Sequence, residues 1–318
     1  MTFALILLVN LLLVAAVVTW QVVKTRKMAR AAEQAVPRAG QIVKVRGGAI
    51  HYVDRGPRDA PVLLCIHGLG GYLQHFTYGI ADLLQDDFRL IMVDRPGCGY
   101  SERASDDLAA PREQARMIAE AMDGLGVKAA TVVGHSLGGM VTLAMALDRP
   151  DLVKAMALIC PLTRQEKTDI ETFKGLDISS PALRRMLAHT VAVPIAAKTG
   201  VETLNGVFAP EPWPEDFVIR AGGMLGMRPE SFIASSADYV WARDTSAAQE
   251  ARYAGALKVP GGILFGADDA LLSPGHHGEG MVQYGLSYEA LPGRGHMINI
   301  TAPAECAGFI RRMAAKAS

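Results

Sequence analysis

TVVGHSLGGM, residues 131–140, decides how this chain is read. Ala130 to Val133 is a short apolar run, and the residues from Leu137 to about 148 are rich in Leu, Met and Ala. Between them lies G-x-S-x-G as Gly134-His135-Ser136-Leu137-Gly138. A strand that turns sharply into a helix strains its central residue and crowds the neighbours, and glycine on both sides relieves the crowding. Such a turn presents the Ser136 hydroxyl at the C-terminal edge of a sheet. It also places it at a helix N-terminus, whose dipole favours negative charge. The bland alternative is a glycine-rich helix start with an incidental serine. The strand before and the helix after argue against it.

Working outward, the chain from Gln41 alternates strand-like and helix-like segments. QIVKV (41–45) and AIHYVD (49–54) predict a hairpin across Gly47-Gly48. Short Val-, Ile- and Leu-rich runs follow at 61–68, 89–94, 130–136, 154–161, 261–269 and 286–293. Runs that are apolar on both faces belong to a sheet covered on both sides. Helical patterns fall between them at 73–85, 111–124, 137–148 and 302–316, with Pro111 well placed to open one. The expected fold class is therefore α/β, a mostly parallel sheet with helices on both faces. Between about 164 and 254 the alternation stops. That stretch is helical in pattern and punctuated by six prolines (181, 194, 210, 212, 214 and 229). It predicts an insertion packed over one end of the sheet.

A second glycine-rich loop, His67-Gly68-Leu69-Gly70-Gly71, follows the 61–66 run. A tetrahedral intermediate needs two N–H donors aimed at its developing oxyanion. In a strand–elbow–helix arrangement these come from the residue after the nucleophile, Leu137, and from this loop, at Leu69. His67 and His135 are read as buttresses of their turns. A serine hydroxyl is a poor nucleophile unless an imidazole takes its proton and a carboxylate orients that imidazole. With the chain order Ser, acid, His, the candidates lie in loops after late strands: Asp268-Asp269 after 261–267, and His296 in GRGHM (293–297). Asp269 is preferred to Asp268 on its spacing from Gly266. His296 is preferred to His51, His75, His189, His276 and His277, none of which follows a late strand with flanking glycines. Asp94 in DRPGCGYS (94–101) precedes the serine and is read as a turn residue.

Phe3 to Val23 carries no charge, and as a helix its 21 residues span about 31 Å, enough for a bilayer core. Trp20 sits near its end as an interfacial anchor would. A cleaved signal peptide is the rival, but the run is long and almost nothing precedes it. Lys24, Arg26, Lys27 and Arg30 all follow the run, which by the positive-inside rule puts the C-terminal body in the cytoplasm. They also suit anionic head groups. The 32 Lys and Arg balance 32 Asp and Glu, so no basic excess suggests a nucleic-acid partner. Cys65, Cys98, Cys160 and Cys306 are scattered without a CxxC pair and read as reduced core thiols. No metal or organic cofactor is expected.

HGLGG, DRPGCGYS, GHSLGG, GADDALLSP and GRGHM, in that order, resemble the α/β-hydrolase superfamily, and within it the capped fold-1 serine esterases and lipases, over roughly residues 45–318. The resemblance implies Ser136 as nucleophile, Asp269 as acid, His296 as base and Leu69 and Leu137 as oxyanion donors. It divides the chain into an anchor (1–23), a juxtamembrane linker (24–40), a core in two parts (41–163 and 255–318) and a helical lid (164–254). An apolar helix before such a domain is also similar to membrane-anchored monoacylglycerol lipases. The implied reaction is hydrolysis of a small-molecule carboxylic ester. Met186, Leu187, Val191, Val193, Ile195, Phe208, Trp213 and Phe217 make the lid apolar, which favours a lipid-like ester, although the same residues could simply be lid core. Relatives use the same triad on thioesters, amides, lactones and carbon–carbon bonds, and some proteins of the fold bind without catalysis. Epoxide hydrolases and haloalkane dehalogenases carry a carboxylate at the elbow, where this chain has Ser136.

Overall fold

The computed structural model describes residues 2–166 and 170–317. Met1 of the expected anchor and 167–169 of the expected lid lie outside the described residues. The strands are β1 (Gln41–Val45), β2 (Gly48–Arg55), β3 (Val62–Ile66), β4 (Arg89–Val93), β5 (Glu102–Arg103), β6 (Ala130–His135), β7 (Val153–Ile159), β8 (Gly261–Gly266) and β9 (Ser287–Leu291). They form one sheet in the order β1-β2-β4-β3-β6-β7-β8-β9, with the short β5 pairing on β2. The β1–β2 hairpin is antiparallel, as is its junction with β4, and every pairing from β4 to β9 is parallel. All six residues of β6 and the last four of β3 are buried. Their apolar composition on both faces is what a doubly covered sheet requires.

The covering helices begin where the sequence predicts. Pro111–Gly124 and Pro303–Ala314 both start on proline, whose missing N–H costs nothing in a first turn. Leu137–Asp148 is buried at every position but its last. The predicted 73–85 helix is instead two short ones, Gln74–Thr77 and Ile80–Leu84, separated at Gly79. The 164–254 stretch is helical and contains no strand among its described residues. Pro181–Leu187 runs through a π turn (Ala188–Ala192) into Val193–Phe208, and Pro229–Glu250 closes the cap over the strand ends.

The N-terminal helix corrects one expectation. Residues 24–40 are not a linker along most of their length: a single helix runs Thr2–Ala35. Lys, Arg, Met, Ala, Glu and Gln after Val23 are all good helix formers, and the first breaker is Pro37, which disfavours helix at the residue before it. Its first part is exposed, and it is long and apolar enough to cross a membrane. Its last part is packed on the body. Thr25, Ala32 and the following Val36 are buried, and their spacing of seven and then four puts them on one face. Thr25 Oγ1 donates to the Thr190 carbonyl at 3.1 Å, and Glu33 pairs with Arg228 at 3.1 Å.

Candidate active site

The β6 register sets the site. His135 pairs with Ile159, so Ser136 and Cys160 leave the sheet side by side. Ser136 has φ 53 and ψ −123, a left-handed strained conformation for a side-chain-bearing residue. Its backbone is held firmly. The Ser136 N–H donates to Ile159 O at 3.1 Å, and its carbonyl accepts from Gly139 N at 2.8 Å and Leu162 N at 2.9 Å. Glycine is required at 138 by close approach: a Cβ there would lie 2.2 Å from the Ile66 carbonyl and 2.6 Å from that of His67. A Cβ on Gly68 would meet Ser136 Cβ at 2.7 Å, so the glycine loop lies directly against the nucleophile candidate.

Asp269 and His296 come together from loops after β8 and β9. His296 Nδ1 is 2.7 Å from Asp269 Oδ2, with 5% and 0% of the two side chains exposed. The other carboxylate oxygen accepts from Leu271 N at 2.9 Å and Leu272 N at 3.0 Å, which fixes the carboxylate. This partnership occupies Nδ1, so Nε2 is the ring nitrogen that remains for the cavity His296 lines. Asp268 does something else: it accepts from Gly293 N at 2.9 Å and so ties the two loops together. Ser136, His296, Leu69 and Leu137 all line one cavity of about 540 Å³, within the range of small-molecule sites. Leu162, Ile170, Phe173 and Leu271 line one part of it, and Arg164, Glu166, Lys174 and Arg243 another. Among the described residues none of the rival histidines lines it. His51 bonds Asp94 at 2.7 Å, His277 bonds Glu166, His276 bonds the Gln165 carbonyl, His75 is buried and His189 is exposed. Asp94 is a turn residue, accepting from Leu73 N and Tyr100 N at 2.9 Å each.

Four contributors carry no local signal in the sequence. Arg95 is fully buried and donates to the carbonyls of His67 and Gly68 at 2.9 Å each, bracing the glycine loop. Asp238, on the cap helix Pro229–Glu250, holds Arg95 at 2.5 Å and Arg103 at 2.6 Å. Glu211, also in the cap, accepts from Gly295 N and from Thr301 Oγ1 at 3.0 Å each, bracing the loop that carries His296. Cys160 has a positive φ of 40, and its sulfur lies with the Asp269 and His296 ligand atoms inside 4.8 Å. Burial first, and then the neighbouring Asp269, raise its thiol well above the ordinary range. The group is therefore a thiol facing a carboxylate, not a thiolate ready for a metal.

His67 and His135 support their turns. His67 accepts from Arg95 N at 2.9 Å, and His135 Nε2 lies 3.2 Å from the His296 carbonyl. Burial is the main cause that lowers both well below the usual histidine value, and it lowers His75 to about 4. The unfolded chain binds more protons at these rings than the folded one once the pH drops below about 6.5. Stability is thus fully present above that pH and is lost as the pH falls, with the His75 part lost on the way down toward 4. Urea unfolding in detergent near neutral pH and at about pH 5 measures this. Equal stabilities would mean the rings are not held neutral.

Residues 61–184 match the model of a family described as alpha/beta hydrolase fold. The acetyltransferase component of an acetoin-cleaving system from Cupriavidus necator is 37% identical over 134 residues, 42% of this chain and 34% of that protein. The chain spans between 34% and 41% of the length of the first curated relatives it matches. A crystal structure of a membrane phospholipase A superposes with a TM-score of 0.68 at 22% identity, covering 100% of this chain and 99% of that one. A thermophilic esterase from Thermogutta terrifontis superposes with a TM-score of 0.70 at 22% identity, covering 87% of this chain and 99% of that one. At such identities the likeness to the solved structures is one of fold. The sheet order, the elbow and the match over residues 61–184 give the chain the α/β-hydrolase fold.

Proposed function

We propose that this protein is a serine hydrolase that cleaves a carboxylic ester through an acyl-enzyme, with Ser136 as nucleophile, His296 as base and Asp269 as the orienting acid. One observation carries the reading: a serine held at φ 53 on a strand-to-helix turn shares a cavity with an imidazole whose Nδ1 is bound to a buried carboxylate. In the reaction, Ser136 Oγ attacks the ester carbonyl carbon while His296 Nε2 takes the hydroxyl proton. The backbone N–H groups of Leu69 and Leu137 receive the developing oxyanion. His296 then gives its proton to the leaving alkoxide as the carbon–oxygen bond breaks. Water, activated by the same imidazole, releases the acid and restores Ser136.

The substrate is a lipid-like ester such as a monoacylglycerol, and residues 164–254 act as the lid that shapes its pocket. Three facts support this. Part of the cavity wall is apolar, at Leu162, Ile170, Phe173, Leu271 and Leu272, the N-terminal helix is long enough for a bilayer, and a membrane phospholipase A superposes along the whole chain. Docking of residues 25–36 on the body favours a retained membrane anchor over a cleaved leader. The basic residues after Val23 favour the cytoplasmic side for the body. The detergent-solubilised chain, assayed on p-nitrophenyl esters from acetyl to palmitoyl and on matched thioesters, amides and lactones, tests the assignment. Saturable ester turnover that favours longer acyl groups is expected. Cleavage of only a non-ester bond would replace the reading with the same triad on another substrate class.

A further inference from the structure

Among the described residues outside the N-terminal helix, eight large apolar side chains are exposed, and four of them fall within 183–201: Leu183, Met186, Ile195 and Val201, at 43, 56, 54 and 60%. The helix Val193–Phe208 buries only Val193, Pro194 and Phe208. A helix so poorly packed leaves apolar surface that needs a partner. The N-terminal helix lands at this same place, with Thr25 bonded to Thr190 in the π turn between Leu187 and Val193. Thr25 lies two residues, or about 3 Å of helix rise, beyond the end of the apolar span at Val23. With the helix set along a bilayer normal, the exposed apolar side chains of 183–201 would come at the level where the hydrocarbon ends. Arg26, Lys27 and Arg30 stand exposed beside it, as suits an anionic head-group layer.

Beneath this face lies a second cavity of about 430 Å³, lined by Leu187, Val191, Val193 and Ile195 from the cap and by Gly70 next to the oxyanion loop. Phe173 lines both this cavity and the one that holds Ser136. We propose that the 183–201 face lies in the bilayer interface beside the N-terminal helix, and that the cavity beneath it admits the acyl chain of a bilayer-resident ester toward Ser136. The route rests on the ester-hydrolase reading of Ser136, whereas the position of the face does not. Chain entry by this side would let the substrate keep its acyl group out of water throughout.

Two measurements on the full chain in phosphatidylcholine–phosphatidylglycerol vesicles test this. All four native cysteines are buried, so Val201→Cys directs a thiol-reactive NBD label to this face. Quenching by nitroxide lipids in preference to aqueous iodide is expected, and preferential quenching by iodide overturns the proposal. In the second measurement, Met186→Glu with Val201→Glu should slow hydrolysis of vesicle-resident monooleoylglycerol by about tenfold while sparing a water-soluble butyrate ester. Equal rates on the vesicle ester would reject the route. If the label is immersed but the wild type cleaves neither ester, the ester-hydrolase reading and the route fall together and the membrane face stands.

Discussion

Replacing Ser136 with alanine is expected to lower kcat/KM for ester hydrolysis by on the order of 10⁴-fold or more, with the protein still folded. The turn is held by backbone bonds from residue 136 to Ile159, Gly139 and Leu162, which alanine keeps. Alanine and serine also bear the left-handed conformation at similar cost. Steady-state hydrolysis of a p-nitrophenyl ester, compared with thermal unfolding of the same preparations, separates chemistry from stability. Unchanged turnover in a folded variant would reduce the chain to a binding module of this fold. Residual activity above background would come from the oxyanion donors and substrate binding alone.

The second large effect concerns Asp238. Its carboxylate and the Arg95 guanidinium are both fully buried, and Arg103 is nearly so. Removing one member of such a cluster strands the others without solvent. Asp238→Ala should therefore destabilise the protein by about 3–5 kcal/mol. It should also lower kcat, because Arg95 is the group that holds the carbonyls of His67 and Gly68 in the glycine loop. Asp238→Asn keeps one acceptor oxygen but loses the charge and turns an amide NH2 toward one of the two arginines, so a loss is expected there too. Urea unfolding followed by circular dichroism in detergent reads the first effect and ester kinetics the second. A near-neutral Asp238→Ala would show that the cap and the loop are not coupled through this pair.

These two predictions differ in how far the sequence reveals them. The elbow is local: strand, serine and helix lie within some twenty residues, and crowding at Gly134 and Gly138 is written in the residue types. The same holds for the central strands and for the helices opened by Pro111 and Pro303. His296 and Asp269 lie far apart in sequence but could be located because each follows a strand in the required order. The bracing by Asp238 could not be read, since 143 residues separate it from Arg95 and neither sits in a pattern that demands the other. Glu211 reaches Gly295 across a similar gap of 84. The N-terminal helix continues past Val23, where a juxtamembrane linker is expected. The better signal was the uninterrupted run of helix formers up to Pro37, with Thr25, Ala32 and Val36 on one face.

The coupling of the cap to the site follows from these long-range contacts. Asp238 reaches the 67–71 glycine loop through Arg95, and Glu211 reaches the loop that carries His296 through Gly295. The N-terminal helix rests on the same cap through Thr190 and Arg228. The N-terminal helix, the 181–250 helices and the two loops thus form one packed series, and a change in how those helices are seated would be felt at both loops.

The central claim is that one particular hydroxyl is activated at neutral pH. Incubating the folded chain with a fluorophosphonate and locating the adduct by peptide mass spectrometry tests it most directly. The account predicts a single adduct on Ser136, absent from the Ser136→Ala protein and slowed in Asp269→Asn and His296→Ala. An unlabelled folded wild type, or an adduct on another residue, would contradict it.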